Sequence, residues 1–233
     1  MNIFEDILVT QNKIAVLVGA GISMDSPSNL PSGREFVSSI LKAYLTDEFI
    51  SNLETDLNII DDLIGEIGHL TRPGEFLRFE TLLYYLKSSG LDPELNSLKS
   101  LKLYSEPNSN HYNLANLIYH GHIVITTNFD NLIEVAYKQL YPKEPALSIK
   151  VYNDEFSLED LKSSKEKCLW KIHGSFLREN EDCFSSIDAT FTSCISNQLS
   201  GNKLEFLKYV LEQYDLIVAG YSGSDDLDLM PLF

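Results

Sequence analysis

Short apolar runs alternate along this chain with longer segments in which hydrophobic residues recur about every 3.6 positions. The apolar runs predict strands at 13–18, 122–126, 148–152, 168–172 and 216–219. Runs that do not alternate with polar residues are typical of strands buried on both faces, and intervening helices allow parallel connections. The pattern therefore predicts an α/β fold in which a parallel sheet carries helices on both faces.

One stretch interrupts this alternation of strands and helices. From about 47 to 106 the chain carries mainly helical periodicity, which predicts a helical insert within a single domain that spans 1–233. Just before it, Ser32 followed by Glu35 predicts a capping box that begins a helix. The chain ends as another helix starts after the last apolar run, so we expect the sequence to be a domain cut from a longer protein.

Composition narrows the range of functions. The hydrophobic fraction is 44%, and no apolar run reaches the roughly 18 to 20 residues that a membrane span needs. The first residues lack a secretory signal, which favours the cytoplasm. With 18 basic and 34 acidic residues, the net charge of -16 disfavours direct binding to nucleic acid. The three cysteines, Cys168, Cys183 and Cys194, form no CxxC pair, so neither a disulfide framework nor a four-cysteine zinc site is expected.

A glycine turn follows the first predicted strand. Gly19 and Gly21 allow backbone N–H groups to approach a pyrophosphate, and the next helix would add a favourable dipole. The full dinucleotide fingerprint fails, because Met24 takes the third glycine position and no acid lies about 20 residues further on. A hydride-transferring dehydrogenase is therefore disfavoured. Taken alone, a turn that serves only strand-to-helix geometry explains these glycines as well as phosphate binding does.

Polar residues also follow two later strands. A carboxamide at Asn128 can orient a ribose hydroxyl or a water, although an asparagine there can instead cap the next helix. For Asp130, the corresponding interpretation, a carboxylate that stabilises a helix N-terminus, is stronger still, so the role of Asp130 stays undecided. The ordinary pKa of histidine would suit His173, between a strand and Gly174, to taking a proton near neutral pH, although a lone histidine is more often structural. We therefore treat Asn128 and His173 as candidate catalytic residues.

Other polar residues are candidates for supporting roles. Among the remaining histidines, His111 is the one expected closest to the site, as a buried hydrogen-bonding residue. Ser175, Ser222 and Asp225 can bind ribose or adenine edges, although such residues in glycine-rich turns often satisfy their own backbone.

Five motifs together resemble the sirtuin family in order and spacing. They are Gly19-Ala20-Gly21-Ile22-Ser23, the Pro107-x-x-x-His111 helix, Thr127-Asn128-Phe129-Asp130 with Glu134 beyond, His173-Gly174-Ser175, and Gly220-Tyr221-Ser222. The resemblance implies a Rossmann-like parallel sheet with NAD across the strand ends, and it places Asn128 and His173 at the nicotinamide ribose. The residues then expected to bind NAD are Gly19, Ala20, Gly21, Ser23, Thr127, Asp130, Gly174, Ser175, Gly220, Ser222 and Asp225.

Two differences from sirtuin deacylases indicate which group of sirtuin-like domains the chain resembles. The zinc module with its two CxxC pairs is replaced by the helical insert, and a different loop, 25–31, stands where those enzymes have Gly-Ile-Pro-Asp-Phe-Arg. The chain is more similar to the zinc-free NAD-hydrolysing domains of prokaryotic immune systems. That resemblance implies a cytoplasmic NAD+ glycohydrolase acting in anti-phage defence by NAD depletion. It also implies NAD+ as substrate, no metal, a homo-oligomer, and a fused or separate sensor protein.

Two other functional classes stay open. The same fold can be a module that senses NAD or ADP-ribose without hydrolysing it. It can also be a deacylase or an ADP-ribosyl transferase, which the absent zinc module disfavours. For the hydrolase, loop 25–31 is expected to act as a lid.

Overall fold

The computed structural model describes residues 14–44, 79–88, 90–99, 106–163, 166–175 and 199–221, together with Leu229 and Leu232. The chain divides into two compact units. The first contains 1–30 and 98–233, and the second contains 31–97.

The first unit is built on a parallel sheet. Its described strands are β1 (Ile14–Val18), β2 (Ile123–Thr126), β3 (Ser148–Lys150), β4 (Cys168–Lys171) and β5 (Asp215–Ala219). They lie in the order β3-β4-β2-β1-β5, and every neighbouring pair is parallel. The predicted strands all exist, with ends shifted by no more than two residues. The predicted parallel α/β fold of Rossmann-like type is therefore confirmed.

Helices follow the strands as the hydrophobic period predicted. The helices described are α1 (Gly33–Tyr44), α2 (Phe79–Ser88), α3 (Asn96–Lys99), α4 (Ser109–Tyr119), α5 (Leu132–Leu140), α6 (Leu158–Ser163) and α7 (Gly201–Gln213). Short 3-10 turns occur at Ala20–Ser23 and Asn153–Glu155.

Alternate residues of β1 face two separate cores. Val16 and Val18 pack in one buried cluster that includes residues of α4 and α5. Ala15 and Leu17 pack in a second cluster that includes α7. Because successive side chains of a strand point to opposite faces, a strand with no polar residue must be covered on both sides. The sheet therefore forms the middle of three layers.

The second unit contains α1 and α2. The rings of Phe36 and Phe79 meet edge to face, with centroids 5.4 Å apart. The predicted capping box is confirmed, since the Glu35 N–H donates to Ser32 Oγ at 3.2 Å and the Ser32 N–H donates to Glu35 Oε2 at 2.8 Å. Much of the predicted insert, 47–106, lies outside the described residues, at 47–78, 89 and 100–105. Cys183 and Cys194 also lie outside them.

Candidate functional site

Three neighbouring strands end at one edge of the sheet. Val18 of β1 pairs with Thr126 of β2, and Thr126 pairs with Lys171 of β4. Asn128 and His173 therefore each lie two residues beyond a matched pair. The ring of Phe129, beside Asn128, lies 6.5 Å from the His173 ring between centroids. The structure brings the two candidate catalytic residues to adjacent strand ends, next to the glycine turn that follows β1.

The glycine turn is packed against the end of β5. The Gly21 N–H donates to the Gly220 carbonyl at 2.8 Å, and the Gly19 N–H donates to the Ala219 carbonyl at 3.3 Å. A Cβ on Gly21 would lie 2.8 Å from Gly220 Cα. Both glycines are thus needed for the close approach of two turns. Their amides are already bonded within the protein, as is that of Ile22, which donates to the Gly19 carbonyl.

Ser23, at the end of this turn, is buried in a network of polar side chains. Its Oγ lies 3.0 Å from Asp130 Oδ2 and 3.0 Å from His111 Nε2. The predicted position of His111, buried and hydrogen-bonded beside the site, is confirmed. Ser23 therefore joins the turn after β1 to the end of β2 and to α4.

The backbone determines the tautomer of His111. The Asn108 N–H donates to His111 Nδ1 at 3.1 Å, so this nitrogen must carry a lone pair. The proton of the neutral ring is then on Nε2, which donates to Ser23, and the Ser23 hydroxyl donates to Asp130. Burial lowers the pKa of His111, and the Asp130 carboxylate only partly opposes that shift. His111 is a neutral hydrogen-bond donor.

A serine, a histidine and an aspartate in contact invite comparison with a hydrolase triad. In such a triad the histidine accepts the serine proton, and the aspartate holds the other ring nitrogen. Here the histidine donates to Ser23, and the aspartate accepts from Ser23 instead. His111 therefore cannot activate Ser23 as a nucleophile, and the network excludes this form of acyl transfer.

Asn128 is held by its amino group. Its Nδ2 donates to Asp130 Oδ2 at 3.2 Å and to Ser23 Oγ at 3.3 Å, and its backbone N–H donates to Thr126 Oγ1. No donor to Asn128 Oδ1 is recorded among the described residues. Asp130 holds this group and also accepts from the Leu132 N–H at 3.0 Å, so it is part of the network and of the start of α5. These bonds fix the orientation of the Asn128 carboxamide, and its oxygen remains available to accept a hydrogen bond from a ligand or water.

The other predicted site residues have varied positions. Gly174, with φ of +87°, and Ser175 are buried in the turn that carries His173. The Thr127 N–H donates to the Val18 carbonyl, and Gly220 has φ of +61°. Ser222 and Asp225 lie outside the described residues. The binding of NAD by these residues stays a prediction.

Two buried lysines beneath the site were not predicted from the sequence. Lys171 Nζ donates to the Asp130 carbonyl and pairs with Glu134 Oε1 at 3.0 Å. Lys203 Nζ, from α7, donates to the Ile172 carbonyl just before His173. Burial raises the pKa of Glu134, and the charge of Lys171 opposes that shift. A lysine inside the apolar run 168–172 was the available signal, because a buried lysine needs a partner.

Residues 25–30, which form most of the predicted lid loop, are held within the first unit by several hydrogen bonds. Ser28 Oγ donates to the Glu106 carbonyl at 2.9 Å, and Asn108 Nδ2 donates to the Asp25 carbonyl at 3.2 Å. The Leu30 N–H donates to the Ser23 carbonyl at 2.9 Å. Movement of this loop as a lid stays a prediction, and it would require these bonds to break.

Residues 122–233 match the family model described as a SIR2-like domain. This match covers the end of β2 with Asn128 and Asp130, and it covers the His173 turn. No curated protein matches the chain. Within the described residues, no group of three histidine, cysteine, aspartate or glutamate side chains is placed to hold a metal ion. No helix in the same residues is both long and apolar enough to cross a membrane.

Proposed function

Because residues 122–233 match the model of a SIR2-like domain, we propose that the chain is an NAD+ glycohydrolase that releases nicotinamide and ADP-ribose. The fold supports this proposal because ligands of open parallel sheets bind outside the carboxyl ends of the strands. The candidate residues lie at that edge. Asn128 and His173 follow adjacent strands there, and the glycine turn follows the third.

The orientation of Asn128 is the observation that carries the proposal. Its amino group is fixed by Ser23 and Asp130, so its oxygen is directed by structure already present in the protein. A carboxamide oxygen can accept from a water or a ribose hydroxyl without gaining or losing charge. A group held in advance in this way raises rate by positioning, since little reorganisation is needed as the reaction proceeds.

The proposed reaction breaks the bond between nicotinamide and ribose C1′. The electron pair of that bond leaves with nicotinamide, which becomes neutral, and the sugar passes through an oxocarbenium-like state. The oxygen of water bonds to C1′ while Asn128 holds the water or the adjacent ribose hydroxyls. His173 accepts the proton that the water, or a ribose hydroxyl, gives up. Neither residue needs a metal ion for these tasks.

The pyrophosphate would lie at the turn formed by Gly19, Ala20, Gly21 and Ser23. The amides of Gly19 and Gly21 already have acceptors, whereas none is recorded among the described residues for the amide of Ala20. We expect the Ala20 amide to contact phosphate directly, with the glycines allowing the approach. Thr127, Asp130, Gly174, Ser175 and Gly220 would line the ribose side, and Ser222 and Asp225 the adenosine end.

The biological role belongs to the same proposal. A protein that destroys NAD+ must be idle until it is triggered, so we expect low activity in the isolated domain and activation by self-assembly or by a sensor partner. Anti-phage defence by NAD depletion is the role that the resemblance to the NAD-hydrolysing domains of prokaryotic immune systems implies. Robust turnover by dilute monomer would contradict the part of the proposal that concerns assembly.

The test is incubation of the full chain with NAD+ and separation of nicotinamide from ADP-ribose over time. We expect both products in equal amounts, and we expect His173→Ala to reduce turnover about 100-fold or more. A chain that binds NAD+ and leaves it intact, even at high protein concentration, would be a sensor module. NAD+ loss that requires an acylated peptide or an acceptor protein would indicate a deacylase or a transferase.

A further inference from the structure

We propose that His111 is a positioning residue that acts through Ser23 and Asp130 to keep the Asn128 oxygen directed at the ligand. His111 has no ligand of its own in this scheme. Its effect on the reaction rests on the proposed NAD+ hydrolysis, whereas its effect on the direction of Asn128 does not.

The chain of hydrogen bonds begins at a backbone group. The Asn108 N–H cannot change its direction, so it forces His111 to accept at Nδ1 and donate at Nε2. A helix provides that fixed point, because Asn108 caps α4 and its own side chain accepts from the His111 N–H. The start of α4 therefore decides which group donates and which accepts in the first hydrogen bonds of the network. It lies outside the strand edge that carries the candidate catalytic residues.

Ser23 connects His111 to the carboxylate of Asp130, accepting from the first and donating to the second. A hydroxyl has one proton, and its Oγ already accepts from His111, so the proton is given to Asp130 Oδ2. The same oxygen of Asp130 accepts from Asn128 Nδ2. If the Asn128 carboxamide rotated by 180°, its oxygen would face the Asp130 carboxylate oxygen without a proton between them. Ser23 would then have to donate to the Asn128 oxygen and lose its hydrogen bond to Asp130. Each hydrogen bond thus prevents donor and acceptor from exchanging roles in the next one.

Burial makes this chain effective. Each of the four side chains is at least nine-tenths buried, with His111 at 0% exposure and Asn128 at 7%. Water cannot easily replace a lost donor at such depth, so the loss of one bond changes the balance between the two directions of the carboxamide. His111 hydrogen-bonds only to Ser23 among these side chains, but through Ser23 and Asp130 it can still affect the reaction at Asn128.

The first experiment follows the carboxamide directly by NMR. Side-chain amide signals of Asn128 are assigned by their loss in Asn128→Ala. We expect these protons to be protected from exchange in the wild type, to lose protection in His111→Phe and Ser23→Ala, and to keep it in His111→Gln, whose amide can donate at the Nε2 position. Imidazole ¹⁵N signals of His111 should show the proton on Nε2. Protection that survives in His111→Phe, or a proton on Nδ1, would overturn the proposal.

The second experiment measures NAD+ turnover by the same variants. We expect His111→Phe to lower kcat about 10-fold, the effect of one buried hydrogen bond, with KM within about 2-fold. His111→Gln should restore most of kcat. Adding His111→Phe to Ser23→Ala should cost nothing further, because the histidine acts only through the serine. Tyr112→Phe, the next residue on α4, whose hydroxyl donates to Gln139, is the matched control and should change nothing.

The two experiments separate the two proposals. A wild type that never hydrolyses NAD+ but shows the expected amide protection overturns the hydrolase and supports the positioning role. A wild type that hydrolyses NAD+ while His111→Phe leaves both kcat and amide protection unchanged overturns the positioning role and supports the hydrolase. Additive losses in the Ser23 and His111 double variant would also count against it.

Discussion

The glycine turn after β1 and the end of β2 differ in how many of their hydrogen-bonding groups already have partners within the protein. At the turn, the amides of Gly19 and Gly21 and the space beside them are taken by the end of β5. At the end of β2, the amino group of Asn128 is taken and its oxygen is left. Substitutions of the glycines in the first region should therefore act on stability, and substitution of Asn128 in the second should act on activity.

The largest effect on stability should come from Lys171, beneath the end of β2. In Lys171→Met, Glu134 becomes a buried carboxylate without its partner, and one of its oxygens already has none among the described residues. We expect a loss of about 3–5 kcal/mol in the free energy of unfolding, measured in urea. Lys171→Met combined with Glu134→Leu should recover most of it, since both charges are then gone. A loss below about 1 kcal/mol for the single variant would show that the ion pair is not needed.

A smaller loss is expected at the junction between the glycine turn and β5. In Gly220→Ala the new Cβ would lie 2.5 Å from the Ile22 nitrogen, at a φ of +61° that already strains any other residue. We expect a cost of about 3 kcal/mol, from strain and overpacking together. Gly121→Ala is the matched control, because its φ of +89° brings similar strain while the nearest atom, Lys167 Nζ, lies 4.0 Å away. It should cost about 1 kcal/mol. Equal costs would mean that close packing is not why Gly220 is required.

The smallest effect is a pH dependence that His111 gives to the network. Its pKa in the folded chain is lowered from the ordinary 6.5, and the charged group that faces it among the described residues is Asp130. The unfolded chain therefore binds a proton that the folded chain does not, and stability must fall as pH drops below 6.5. The slope is at most about 1.4 kcal/mol per pH unit for one proton. Urea unfolding at several pH values should show this slope reduced in His111→Gln, and an unchanged slope would contradict the neutral state of His111.

The sequence predicted the sheet and its edge better than it predicted the network beneath the edge. Unbroken apolar runs such as 14–18 leave little choice but a strand covered on both faces, so the parallel sheet followed from local pattern. Asn128 was identifiable because a polar amide directly after such a run needs a partner. Gly19 and Gly21 were ambiguous, since no local signal says that Gly220, about 200 residues later, packs onto them. Lys171 was missed because its partners, Asp130 and Glu134, come from another strand end and helix.

His111 lies between these two cases. The helical spacing of α4 placed it on a buried face, and a buried histidine needs hydrogen bonds. Which nitrogen donates could not be predicted, because the answer depends on the Asn108 N–H at the start of the helix and on Ser23 from the turn after β1. Long-range partners decide the direction of each bond, and local sequence decides only that bonds are required.

The most direct test of the central claim is NAD+ turnover by Asn128→Ala beside Asn116→Ala. Both remove a carboxamide, but that of Asn116, on α4, accepts from the hydroxyl of Tyr141, which follows α5. We predict that Asn128→Ala lowers kcat at least about 100-fold while NAD+ binding changes little and the chain stays folded, and that Asn116→Ala keeps kcat within about 2-fold. Equal turnover by Asn128→Ala and the wild type, or equal losses in the two variants, would contradict the account.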